Sequence, residues 1–203
     1  MATNSFVEID IPEAAELADL SGVLLDFEAT KRFAVQLKIM LAEENPEYSS
    51  WEPMTTAILV RYSRPFANGR RQRLREEDLR TLSSTQRKSH DRFRNWRDKH
   101  IAHSVNVFED NQPVARYWVE RFDDEGFTSV ECNSHQLVGL SSSDIDQVIE
   151  LTSHFIEYLK PRIRAEKKKV LTIVRTMPKE DVLAMKKPLN VPKVEDAGKE
   201  RRQ

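Results

Sequence analysis

Residues 141–159 read SSSDIDQVIELTSHFIEYL, the opening of a long amphipathic helix. The serines at 141–143 supply an N-cap, and Asp144 and Asp146 fall in the first turn, where free backbone N–H groups and the helix dipole favour negative charge. Ile145, Val148, Ile149, Phe155, Ile156 and Leu159 then recur at helical spacing and make one apolar stripe. Pro161 either kinks this helix or splits it. The segment RIRAEKKK, 162–169, leads on into VLTIV, 170–174. From about Thr176 the chain is charged, proline-punctuated and poor in bulky apolar residues, which reads as a tail that is flexible or orders only against a partner. The expected division is therefore a helical domain over 1–175 and a charged tail over 176–203.

Moving outward, the same periodicity appears near the N-terminus. Pro12 and Glu13 follow a cap candidate at Asp10. Leu17, Leu20, Leu24, Phe27, Phe33, Leu37 and Leu41 keep a helical rhythm, with a break expected near Ser21-Gly22 and an end at Asn45-Pro46. A second helix is expected over WEPMTTAILVRYSRPF, 51–66, with Met54, Ile58 and Tyr62 on one face and Pro65 ending or kinking it. A basic connection, NGRRQRLR at 68–75, follows. A third helix is expected from Ser83 or Ser84 through QRKSHDRFRNWRDKHIAH; its few apolar positions suit a narrow buried stripe, a cleft border or a partner.

Residues 104–140 change character. VARYWVERF (114–122) and FTSVEC (127–132) are rich in β-formers, and Asp123 to Gly126 supplies turn chemistry between them. A two-stranded hairpin is marginal alone, so this one is expected to pack on the helices. The expected fold class is mainly α: a helical bundle with a small β-hairpin inserted before the last long helix.

Composition narrows the function. One domain with an extension, or two small domains, fits 203 residues. Only five glycines argue against a phosphate-cradling loop or a turn-rich β fold. A single cysteine, Cys132, excludes an intrachain disulfide and suits a reducing compartment. The acidic N-terminus shows no signal-peptide pattern, and no apolar run approaches the roughly 20 residues of a membrane span. A cytoplasmic protein without a membrane segment is expected.

The net charge of −1 hides blocks: residues 61–103 hold 13 basic and 5 acidic groups, and residues 160–203 hold 14 and 6, whereas the intervening stretches are acidic. Two readings follow, binding of phosphate or nucleic acid, and attraction between blocks within the fold or across a dimer.

The chemistry concentrates in RDKHIAH, 97–103. At α-helical spacing Arg97, His100 and His103 drift back by about 60° per step and form a steep row along one flank. His90 lies about two turns earlier, too far to share a phosphate with that row. A histidine of near-neutral pKa can take the 2′-hydroxyl proton of RNA or protonate the leaving oxygen, and an arginine can clamp the non-bridging oxygens. The 2′-hydroxyl is an internal nucleophile, so no metal or cofactor is required. His103 is the first choice for acid–base work, Arg97 for the clamp, His100 for an assistant, and Asp98 for orienting a side chain or holding Arg97. Arg61, Arg64, Arg70, Arg71 and Arg94 are further candidate phosphate contacts. Two other readings compete: a metal site from His100, His103 and Asp98, without a dense set of further ligands, and a plain polar face with an Arg94–Asp98 pair at i,i+4.

The segment resembles the Arg-x4–6-His signature of the HEPN superfamily, with five residues between Arg97 and His103, a polar Asp98 after the arginine and Ile101-Ala102 before the histidine. A second register, Arg94 to His100 with Asn95, has the same spacing; the Ile-Ala-His ending favours 97/103. VRYSRPF at 60–66 and the late hairpin are similar to the abortive-infection-type branch, and the likeness spans roughly residues 12–174. The resemblance implies a HEPN-like helical bundle that dimerises, with arginine and histidine of both subunits facing one RNA backbone. It also implies metal-independent endoribonuclease activity leaving a cyclic phosphate, of the kind found in toxins and phage-defence effectors with an antitoxin or regulatory protein partner. Many members of the superfamily have no demonstrated nuclease activity, so the resemblance also allows a non-catalytic RNA-, nucleotide- or protein-binding module.

Overall fold

A computed structural model describes residues 7–44, 48–69, 71–101, 111–118, 126–134 and 139–185. The chain is mainly helical. Helix α1 spans Ala15–Leu41, α2 Trp51–Ser63, α3 Glu76–Leu79, α4 Ser84–Trp96, α5 Ser142–Thr176 and α6 Lys179–Ala184. An antiparallel hairpin, β1 Asn111–Tyr117 and β2 Phe127–Ser134, precedes α5. No helix among the described residues is long and apolar enough to cross a membrane.

The two longest helices form the spine. Lys38 meets Asp146 at 2.5 Å, and Arg162 approaches Glu16 at 3.9 Å, so α1 and α5 run antiparallel. Helices α2 and α4 complete the bundle around an aromatic centre. Phe27 of α1 stacks on Phe155 of α5 at 4.9 Å and 9°. Phe66, on the 3-10 turn Arg64–Phe66 that ends α2, stands edge-on to both at 5.8 and 5.4 Å. Tyr62 of α2 meets Phe93 of α4 at 6.0 Å. Each ring comes from a different element, so this cluster ties four helices into one core.

Local chemistry explains the helix starts. Ser83 Oγ accepts from the Gln86 N–H at 3.2 Å while Gln86 Oε1 accepts from the Ser83 N–H at 2.9 Å, a reciprocal capping box. Ser141 and Asp144 repeat it at α5, and Arg92 of α4 anchors the Asp144 carboxylate at 2.6 Å. The Asp78 carboxylate accepts from the Arg75 N–H at the start of α3, and from Tyr158 and Arg162 of α5 at 2.8 and 2.6 Å. Buried hydroxyls find partners in their own helices: Thr30 donates to the Asp26 carbonyl and Thr152 to that of Val148, each at 2.7 Å.

Several expectations are corrected. Helix α1 is unbroken at Ser21-Gly22: Ser21 Oγ donates to the Leu17 carbonyl at 2.7 Å, and the bare Gly22 Cα admits a side chain from the 67–75 connection. Helix α5 runs through Pro161, which sits on the exposed side where its missing N–H costs least. Within the expected tail, residues 179–184 form α6, a short helix with no buried residue, which leaves the expected boundary untouched; residues 186–203 lie outside the described residues. β1 begins at Asn111, earlier than expected, and ends at Tyr117, with a register shift at Arg116/Tyr117. The expected turn at Asp123–Gly126 lies outside the described residues except Gly126, whose carbonyl accepts from the Trp118 N–H at 3.0 Å.

The described strand residues do not pack on the helices as expected. β1 is exposed along its whole length, and Val130 of β2 is 77% exposed. Backbone pairing and the Arg116–Glu131 ion pair at 3.1 Å hold the two strands to each other.

The excursion rejoins the bundle at Leu140. Trp51 Nε1 donates to the Leu140 carbonyl at 3.0 Å, and the Leu140 N–H donates to Thr55 Oγ1 at 3.1 Å. A Cβ on Gly139 would overlap the Trp51 indole, so glycine is needed there for the closure.

Candidate nucleic-acid interface

The segment after α4 changes hydrogen-bonding pattern. Arg97–Ile101 forms a π-helical turn, packed against α2. In a π turn each N–H reaches back five residues, so the α-helical spacing from which the row was calculated does not hold over Arg97–Ile101. Ile101 and Trp96 pack against the core. Arg97 stays at the surface, 37% exposed, with Nη1 2.8 Å from Asp98 Oδ1. Asp98 is therefore engaged by Arg97 and not by Arg94, contrary to the i,i+4 alternative. The His100 side chain, His103 and Arg70 lie outside the described residues. Among the described residues no group of three or more His, Cys, Asp or Glu side chains is placed to hold a metal ion.

His90 belongs to the core. It is 1% exposed, stands edge-on to Phe66 at 4.5 Å, and places Nδ1 2.8 Å from the Tyr62 hydroxyl. Burial lowers its pKa to about 4 and pushes the Tyr62 phenol well above its usual value, so both are neutral at pH 7. The native state thus resists protonating His90, whereas the unfolded chain protonates it near pH 6.5. This contribution is complete above pH 6.5, falls as pH drops towards 4, and levels off below, a loss of about 3 kcal/mol across the window. Melting temperature measured from pH 7.5 to 3.5 should show the loss, and His90→Gln should flatten the profile between 6.5 and 4. Parallel profiles for the two proteins would refute it.

The other candidate arginines gather at the end of α2. Arg61 Nη1 and Arg64 Nη1 lie 3.1 and 3.4 Å from Asp26 Oδ1, and Arg71 Nη2 lies 2.6 Å from Oδ2. The Asp26 side chain is 3% exposed, so one buried carboxylate serves three guanidinium groups, of which Arg64 is half-exposed. Arg94, from α4, places Cζ 5.9 Å from the ring centroid of Phe66, two residues beyond Arg64. Four of the five expected phosphate contacts therefore converge on the α2 terminus.

Pairing across the sequence blocks also occurs. Asp26 from the acidic N-terminal block takes arginines of the basic middle, Arg92 of that middle takes Asp144, and Arg162 of the basic end takes Asp78. The surplus lies around Asp26. Sequence reasoning missed Asp26, although a carboxylate between Val23 and Phe27 on an apolar helix face is a signal, because such a group must be paired. Comparison of the chain with protein-family models, with curated proteins and with solved structures finds no match in any of the three.

Proposed function

We propose that this chain is a metal-independent endoribonuclease of the HEPN type, acting as a homodimer in which Arg97 and His103 of two copies face one RNA backbone. The observation that supports it best is the Arg97–Asp98 pair on the π turn: one N–H of Arg97 is held by the neighbouring carboxylate, and a partly exposed guanidinium retains donors for a phosphate. π turns occur frequently at functional sites. In the reaction His103 removes the 2′-hydroxyl proton, the O2′–P bond forms and the P–O5′ bond breaks. A protonated histidine, His100 or the partner copy's counterpart of His103, supplies the proton to the leaving oxygen. Arg97 stabilises charge on the non-bridging oxygens. The products are a 2′,3′-cyclic phosphate and a 5′-hydroxyl. An RNA substrate suits a cytoplasmic toxin or phage-defence effector restrained by an antitoxin or regulatory protein.

The test is incubation of the purified protein with varied RNAs in EDTA, with the products' ends identified. Cyclic-phosphate ends, and no cleavage of a strand carrying 2′-deoxyribose at each step, are expected. Intact RNA at protein excess would overturn the reading. A second reading, a non-catalytic RNA-, nucleotide- or protein-binding module, is favoured by the arginine surplus around Asp26; it expects salt-sensitive binding that persists in His103→Ala.

A further inference from the structure

We infer that the cleft between the end of α2 and the 67–75 connection is a site for a phosphoryl group, separate from the Arg97 turn. The smaller of two adjoining hollows has a volume of ≈ 350 Å³ and is lined by Arg64, Asn68, Arg71, Gln72 and Arg73, with Ala67 and Gly69. Its lining side chains, among the described residues, offer guanidinium and amide groups and no carboxylate. Its larger neighbour, ≈ 630 Å³, adds Asp19, whose carboxylate already accepts from the Gln72 N–H at 2.9 Å.

The cations are held before any ligand arrives. Asp26, beneath them, fixes Arg61, Arg64 and Arg71 from within the fold. Arg71 lies across α1 at Gly22, where an added Cβ would stand 2.9 Å from its Nη1. Asn68 Oδ1 accepts from Arg73. One carboxylate neutralises one of three guanidinium charges at Asp26, and each guanidinium has five N–H donors. The remaining positive charge and donors call for an anion with several acceptor oxygens. A phosphoryl group supplies both, and guanidinium groups already fixed in place lose little further entropy on binding it.

The source of the phosphoryl group is either an RNA strand or a free nucleotide. Only the first rests on the RNA reading, and no cleavage enters the readout, so inactivity at Arg97 leaves the site standing. The experiment is calorimetric titration of the full chain with inorganic phosphate, with AMP, and with one short RNA carrying a 5′-phosphate or a 5′-hydroxyl. Arg64→Gln, Arg71→Gln and Arg73→Gln are compared with Lys168→Gln, a charge control on the exposed side of α5. Losing a charge-assisted hydrogen bond should weaken binding about 10- to 100-fold in Arg71→Gln, and Lys168→Gln should bind as the parent does. Binding of AMP assigns a nucleotide, and binding of RNA alone, at either 5′ end, assigns the strand; both support the site if the three arginine variants weaken it. The inference is overturned if no probe binds, or if binding falls equally in Lys168→Gln. Melting curves verify folding, and Arg64→Gln and Arg73→Gln, at more exposed positions, carry the test should Arg71→Gln fail to fold.

Discussion

His103→Ala should lower the rate of RNA cleavage by about 10²- to 10⁴-fold, the usual weight of a positioned acid–base group. Arg97→Ala should cost on the order of 10²- to 10³-fold, the scale set by removing one donor to a developing oxyanion. The double variant should fall little below the worse single one, because residues acting as a unit are not additive. Single-turnover assays with a pre-bound labelled RNA separate the chemical step from binding, and sedimentation measures the oligomeric state. The Arg97→Ala loss should arise with oligomeric state and melting temperature retained, since the guanidinium is partly exposed and its described ion pair is with half-exposed Asp98. A His103→Ala protein cutting at the parent rate would remove that residue from the mechanism. A change of oligomer in Arg97→Ala would identify the π turn as an interface first.

Phe155→Ala carries the largest expected cost to stability. Its ring stacks on Phe27 at 4.9 Å, meets Phe66 at 5.4 Å and His154 at 5.6 Å, and is fully buried. Truncation removes its transfer free energy and leaves a cavity among rings from three elements that cannot all close in, for about 3–5 kcal/mol. At this chain length that corresponds to a fall in melting temperature of roughly 6–20 °C. Phe155→Leu, which refills most of the volume, should recover much of it. Calorimetry on the parent and both variants checks the difference, and equal losses in the two variants would contradict the packing argument.

The helices were legible because their apolar residues keep one period and their caps use side chains with local geometry. Ser141 with Asp144 and Ser83 with Gln86 need only three residues of context. Reading Ser21-Gly22 as a break, and Pro161 as a point where the helix splits, failed: Pro161 is on the solvent side within a continuous α5, and Gly22 is where Arg71 crosses. The candidate site was legible only in part. Arg61 on α2 and Arg64 on the 3-10 turn after it lie three residues apart, but their joint attachment to Asp26 depends on how α1 packs against α2, and no local pattern reports that. The hairpin's strands announced themselves by β-formers, whereas their exposure contradicts the expectation of packing, since alternation in a strand states which side is apolar and not what covers it.

Both ends of segment 102–139 are fastened to the same helix. The π turn before it packs on α2, and Leu140 after it is pinned to Trp51 and Thr55 of α2. The bundle therefore sees this excursion as a closed loop whose mouth is already set. Doubling such a loop adds only about 0.6 kcal/mol of closure entropy. Changes in the length of the hairpin itself, outside the Arg97–His103 segment, therefore add little closure entropy and leave the aromatic centre as it is.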